Sequence, residues 1–396
     1  MPDAADRLND PQTRIREAVA AIEPGLVAIR RDIHAHPELG FEEVRTAGIV
    51  AAELARLGIP HRTGVGRTGV VGVIEGARPG PTLAIRADMD ALPIQEATGL
   101  PFASTVAGKM HACGHDIHTT TLLGVADVLQ GLAPQLAGKV VLVFQPAEEA
   151  LGGAAAMVAE GVLDGVDMAL GFHNAPNLPV GQFGFCRGET LAAADRFELV
   201  VGGRSGHAAH PHKAVDPIVA AAAFVSQAQT VVSREIDPLM PAVVTIGMIH
   251  GGTAPNIIPE TVELKGTVRT LHPAARDAAE AALRRLAAGL DAMHRTRSEF
   301  VYRRGVPPLR NDDRVLDPAI AAVRRQLGEV VTEGRPSMGA EDFAEFAERV
   351  PAFQLRIGSG APGRNDALHN DRYQPDEGCI GLGVQALSRI ALDMLA

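Results

Sequence analysis

The sequence predicts an α/β protein: a mostly parallel sheet with helices on both faces, interrupted by an inserted ferredoxin-like α+β domain. Three observations predict it. Over the first half, short apolar runs bounded by Gly and Pro alternate with stretches of helical periodicity, the rhythm of βαβ units. From about Ala192 the order becomes strand, helix, strand, strand, helix, strand, as in a ferredoxin-like unit. Beyond about residue 304 the first rhythm resumes. Residues 1–189 and 304–396 are therefore expected to form one discontinuous domain and 190–303 the insert.

Taken in order, Ile15, Val19, Ile22, Leu26, Ile29 and Ile33 recur at helical spacing. Pro24-Gly25 is expected to break this stretch into two helices. A helix over 42–57 ends at Gly58 and Pro60. Gly69–Glu75 and Thr82–Ala87 read as strands, the second running into Asp88-Met89-Asp90. A helix reaches about Gln130, and Lys139–Gln145 reads as a buried strand followed by Glu148-Glu149. Met168–Phe172 is a strand that delivers His173-Asn174. In the insert, strands are expected near 196–201, 242–247, 262–269 and 299–302, with helices near 217–232 and 272–293. A helix over 318–327 and a strand over 353–357 complete the chain, the latter leading to Leu368-His369-Asn370.

Composition excludes several classes of function. With 46% hydrophobic and 21% charged residues, 396 residues have ample material for a core. A net charge of -10 without a basic block argues against a nucleic-acid surface. No apolar run approaches the roughly 20 residues that span a bilayer. Cys113, Cys186 and Cys379 lie too far apart for a disulfide framework. The polar, acidic N-terminus lacks a signal-peptide pattern, so a cytoplasmic setting is expected.

The chemistry concentrates in Met110–His118, where three histidines, one cysteine and one aspartate share nine residues. Cys113 and His115 stand two apart around Gly114, a spacing for a loop or helix start at which glycine lets both side chains turn to one point. A thiolate with an imidazole suits a borderline metal such as Zn2+, Mn2+, Co2+ or Ni2+. A buried structural cysteine beside solvated histidines is the alternative. Asp88 and Asp90, Glu148 and Glu149, and His173 all follow predicted strands, and in open α/β sheets ligands bind beyond the carboxyl ends of strands. Of two adjacent glutamates, one can bind a metal while its neighbour moves a proton, or both can simply begin a helix. His34 and His36 lack convergent partners and are read as structural or surface residues.

Together, Arg86–Pro93, Met110–His118, Gln145–Glu149, Arg204–Pro211, Gly251–Pro259 and Leu368–Asn370 resemble the motifs of the M20 metallopeptidase and amidohydrolase family. The closest branch resembles hippurate hydrolases, N-acyl-amino-acid amidohydrolases and auxin-conjugate hydrolases. The resemblance implies a catalytic domain with two divalent metal ions (Mn2+, Zn2+, Ni2+ or Co2+) and an inserted lid or dimerisation domain. It implies Cys113 as the ligand shared by both ions, with His115, Glu149, His173 and His369 as the others. Glu148 matches the catalytic base and His207 a lid histidine that polarises the scissile carbonyl. Asn256 and Arg269 match groups that recognise the substrate carboxylate. Asp90 matches an aspartate that supports the ligands, although Asp88 stands where other branches place a metal-bound histidine. Ala150, Leu151 and Ala175 depart from the family at positions around the pocket.

The expected activity is hydrolysis of the amide of an N-acyl or N-aroyl amino acid by a homodimer or homotetramer. A dipeptidase or carboxypeptidase on the same scaffold is the alternative. A non-catalytic binding protein would need no proton shuttle, and a structural zinc site would draw its ligands from a short span.

Overall fold

The computed structural model describes residues 10–364 and 367–396. The chain forms two compact units: one comprises the chain up to Gly188, Arg310–Arg335 and Glu345–Ala396, the other Glu189–Leu309 and Pro336–Ala344. In chain order the first unit contributes α1 (Pro11–Ala35), α2 (Val44–Arg56), β1 (His61–Val65), β2 (Gly69–Glu75), β3 (Arg78–Asp88), α3 (His115–Leu132), β4 (Ala137–Gln145), α4 (Gly153–Ala159), β5 (Met168–Pro179) and β6 (Phe183–Phe185). The second unit supplies β7 (Ala193–Gly202), α5 (Pro217–Thr230), β8 (Ala242–Gly251), β9 (Thr261–Thr270), α6 (Pro273–His294) and β10 (Arg297–Arg303). The first unit then resumes with α7 (Asp313–Leu327), β11 (Val331–Glu333), β12 (Ala352–Gly360) and α8 (Gly378–Met394).

The first unit is built on an eight-stranded sheet of order β1-β2-β4-β3-β5-β12-β6-β11. Its centre is parallel, from β4 through β3 and β5 to β12; β1, β2 and β6 enter antiparallel pairings. The strand period of two explains the core. Leu83, Ile85 and Ala87 of β3 share a cluster with Val140, Leu142 and Phe144 of β4 and Leu170 and Phe172 of β5. Leu122 and Val125 of α3 and Ile380, Val384 and Leu387 of α8 close it. Among the described residues, no helix is long and apolar enough to cross a membrane.

Two local expectations are corrected. Pro24 does not divide the first helix: α1 runs unbroken through it. An internal proline costs a helix about 3 kcal/mol, but buried Ile15, Val19, Leu26 and Ile33 flank it on one stripe, and α1 packs on α3 and α8 along that stripe. His173 and Asn174 do not follow a strand but lie inside β5, because β12 continues the ladder past them, pairing Arg356 with His173 and Ile357 with Asn174.

The second unit has a four-stranded antiparallel sheet of order β8-β9-β7-β10, the ferredoxin-like arrangement expected from its element order. Phe197, Leu199, Val201, Val262, Leu264 and Val268 project from one face and pack with Phe224 of α5 and Leu283 of α6. Pro336–Ala344, grouped with the first domain in the sequence reading, belongs to this unit. Its backbone runs beside the segment leading into β7: Ser337 N donates to Thr190 O at 2.9 Å and Ala192 N to Gly339 O at 2.8 Å.

Candidate metal centre

Gly114 sets the centre's geometry. It begins α3 with φ 87°, and a Cβ there would lie 2.3 Å from Asn174 Nδ2, so neither the backbone nor the space admits a larger residue. Cys113 therefore sits just before the helix and His115 opens it, both buried.

The ring hydrogen bonds of both histidines would suit a metal. His115 Nδ1 lies 3.2 Å from Asp90 Oδ1, and His173 Nδ1 lies 2.7 Å from Asn174 O. Each Nδ1 donates to its oxygen, which leaves Nε2 as the nitrogen able to bind a metal, the usual arrangement of metal-binding imidazoles. His115 Nε2 is buried without a hydrogen-bond partner; it stands 3.7 Å from Asp88 Oδ1 and 3.9 Å from Glu149 Oε1. Glu149 Oε1 lies 3.2 Å from His369 Nε2, yet is also buried without an aligned hydrogen bond. Cys113 Sγ is 3.5 Å from His173 Nε2.

The ligand atoms of Cys113, His115 and His173 all fall within 4.8 Å of one another, as do those of Cys113, Glu149 and His369. The sulfur of Cys113 belongs to both groups. Such a set of thiol, imidazoles and carboxylate fits borderline divalent metals, and its orphaned buried atoms fit ligands that await one. Burial pushes the Cys113 thiol well above its ordinary value; a bound cation would reverse this and hold it as thiolate. Burial, with His118 nearby, pushes His173 well below its usual range, keeping it neutral. Burial also raises the Glu149 carboxyl, but His369 and His115 outweigh it and leave it lowered.

Glu148 and Glu149 follow β4 through Ala147, which adopts φ 50°. Asp90 fastens both: Oδ1 accepts from Glu148 N and Oδ2 from Glu149 N, each at 3.0 Å. One carboxylate thus orients His115 and the backbone of both glutamates. Oxygen atoms of Glu148 and Glu149 and a ring nitrogen of His115 form a further group within 4.8 Å.

A second layer, to which the sequence reading assigned no role, surrounds these donors. His118 Nδ1 donates to Asp88 Oδ1 at 2.5 Å, while Arg86 donates to Asp88 Oδ2 at 2.7 Å. His118 Nε2 accepts from Asn174 N at 2.9 Å. Asn174 Nδ2 also donates to Cys113 O at 2.6 Å, and its carbonyl accepts from the hydroxyls of Ser359 and Tyr373. Burial would raise the Asp88 carboxyl, but His115, His118 and Arg86 hold it well below its usual range. The signal was present in the strand period, which puts Arg86 and Asp88 on one face of β3. His34 is buried between Asp116 and Glu96, a structural position; His36 is half-exposed.

In the second unit, a short ladder pairs His207 with Ile257, and Ala208 N donates to Asn256 O at 3.0 Å, bringing those two loops side by side. Ala209 N donates to His207 Nδ1 at 3.1 Å, which places the ring proton on Nε2. Arg269 lies on β9 opposite Ala194 and Val243, half-buried, and burial with Arg196 lowers its pKa.

An α/β scaffold that converges five such donors, with a second glutamate beside them, defines a metal-dependent hydrolase. The pattern of peptidase family M20/M25/M40 matches residues 84–393, and the chain belongs to that family. It is 41% identical to an N-acetylcysteine deacetylase of Bacillus subtilis over 93% of this chain and 97% of that one. It is 39% identical to an IAA-amino acid hydrolase ILR1-like protein of Arabidopsis thaliana over 100% of this chain and 91% of that one. A crystal structure of a dinuclear metal-binding peptidase of the M20 family from Bacillus subtilis superposes with a TM-score of 0.85 at 38% identity, covering 95% of this chain and 99% of that one.

Proposed function

We propose that this protein hydrolyses the amide bond of N-acyl or N-aroyl amino acids, N-acetyl and hippurate-like compounds among them, to a carboxylate and a free amino acid. The observation that carries the reading is the Glu148-Glu149 pair, held by Asp90 against His115, so that one glutamate completes the donor set and its neighbour lies beside it. The deacetylase and the IAA-amino acid hydrolase act on amides of this kind by their names, which supports the substrate class.

Cys113, His115, Glu149, His173 and His369 would hold two divalent ions (Mn2+, Zn2+, Ni2+ or Co2+), which when bound supply Lewis acidity and lower the pKa of water. Glu148 takes a proton from the attacking water and returns it to the departing amine nitrogen. His207, with its proton on Nε2, is suited to donate to the developing oxyanion. Arg269, a planar fork of donors, suits the carboxylate of the amino acid, and Asn256 adds an amide to the same recognition. Asp90 keeps His115 in the tautomer that leaves Nε2 available.

The free thiols of Cys113 and Cys379 fit a reducing, cytoplasmic setting. A homodimer or homotetramer is supported by β8, the terminal strand of its sheet, which exposes Val243, Met248 and Ile249. The peptidase relative favours a second reading, cleavage of dipeptides. Amino-acid release from N-acetyl, N-benzoyl and N-indoleacetyl amino acids and from free dipeptides separates the two. Chelator-sensitive release from capped substrates is expected; release confined to free dipeptides would establish the peptidase, and no release at all would contradict both.

A further inference from the structure

The loop that presents Glu148 adopts a conformation its residues do not favour. Ala147 has φ 50°, a region that costs a residue with a Cβ roughly 1–2 kcal/mol and persists only where the surroundings enforce it. The enforcement comes from carboxylates on three successive amides. Ala147 N donates to Glu43 Oε1 at 2.7 Å, and Asp90 takes the next two, from Glu148 and Glu149.

Glu43 is fully buried and lies immediately before α2, whose first turn closes on it through Ala47 N donating to Glu43 O at 2.9 Å. Its other oxygen, Oε2, accepts from the Thr68 hydroxyl at 2.5 Å, just before β2. Gly40 lets this segment approach: a Cβ there would lie 3.1 Å from Ala147 Cα. A buried carboxylate is costly unless its oxygens are engaged, and here its hydrogen bonds join the start of α2 and the start of β2 to the backbone preceding Glu148. Glu43 belongs to none of the groups among the described residues that could hold a metal.

We propose that Glu43 is a positioning residue for Glu148: by accepting the Ala147 amide it holds the left-handed turn that aims the Glu148 carboxylate. This rests on Glu148 as the proton carrier. What the turn needs is an acceptor at Oε1, not a negative charge. Glutamine supplies one, and its amide can donate to the Thr68 oxygen in place of the present bond; methionine supplies neither.

The test compares Glu43→Met and Glu43→Gln, each with metal content measured alongside kcat and KM. Glu43→Met is expected to lower kcat by about 10- to 100-fold, the scale on which small misplacements of a catalytic group act, with KM and bound metal unchanged. Glu43→Gln is expected to restore kcat to within about threefold of wild type. Wild-type kcat in Glu43→Met would overturn the proposal, as would a fall in kcat matched by loss of metal. Glu43→Gln as slow as Glu43→Met would overturn it too, since charge would then matter and not the acceptor. If Glu43→Met does not fold, Thr68→Val loosens the same carboxylate: a drop in kcat of about two- to fivefold is expected, and none would overturn the proposal. Glu148→Gln is measured in parallel. Full turnover there removes the base reading itself, whereas an inactive Glu148→Gln beside a normal Glu43→Met removes only the role of Glu43.

Discussion

Each unit buries a carboxylate among cations and polar groups, and the two clusters differ in whether their atoms are satisfied. In the second unit Asp195 is fully engaged. Arg276 donates to both its oxygens, at 2.6 and 2.9 Å, and Tyr302 Oη and Gly305 N each donate at 2.9 Å. In the first unit, His115 Nε2 and Glu149 Oε1 are just as buried, yet neither makes an aligned hydrogen bond, and both belong to groups that converge with Cys113. Composition alone does not separate these cases, since each collects acids and bases from distant parts of the chain. Satisfaction does: a closed cluster ties elements together, whereas buried donors left over at one point are arranged for a ligand.

The contrast can be broken most decisively at Glu148. Glu148→Gln is expected to lower kcat by about 10²- to 10⁴-fold, the usual contribution of a general acid–base group, with metal content unchanged by elemental analysis. Wild-type turnover would remove Glu148 from the chemistry. In the closed cluster, Asp195→Ala should instead lower stability by about 3–5 kcal/mol, since it strands a buried Arg276. Its denaturant midpoint reads this, and a loss below about 1 kcal/mol would show that the cluster is not a tight pair. Next in size is His118→Phe, which removes the link from Asp88 to Asn174. Metal affinity is expected to fall about 10- to 100-fold, as for other supports behind ligands; titration giving the wild-type affinity would show that this second layer does not steer the donors.

The smallest effect concerns pH and His34. Burial disfavours its charge, but hydrogen bonds to Asp116 and Glu96 outweigh it and raise its pKa above the ordinary 6.5. A group whose pKa is raised on folding stabilises the folded state fully below its unfolded pKa, and that contribution is lost as pH rises through the folded pKa. The denaturant midpoint should therefore decline as pH climbs from about 6.5, and this component should vanish in His34→Gln. An identical pH dependence in the variant would show that His34 is not the group responsible.

Much of the fold could be read because its signals are local. Alternating apolar runs marked β7 and β9, and the change of rhythm near Ala192 marked the second unit. Cys113 and His115 stand out by their spacing around Gly114, and Glu148, Glu149, His173 and His369 because each follows a predicted strand. What the sequence hid depends on tertiary context. Pro24 reads as a breaker, and only the packing of α1 on α3 and α8 carries the helix through it. His173 reads as following a strand until β12 extends the ladder past it. Asp88, His118 and Asn174 are separated by dozens of residues, and their mutual hydrogen bonds have no local signature. Ala147 looks like an ordinary loop alanine; its left-handed backbone becomes intelligible only with Glu43 and Asp90 on its amides.

The most direct measurement is metal stoichiometry in wild type and Cys113→Ala after equilibration with Mn2+ or Zn2+, with amide hydrolysis followed on the same samples. Cys113 belongs to both donor groups, so two ions per wild-type chain are expected, with a marked loss in Cys113→Ala and loss of turnover in step. Unchanged metal content in Cys113→Ala would contradict this, because the convergence of donors on that sulfur would then not be what holds the metal.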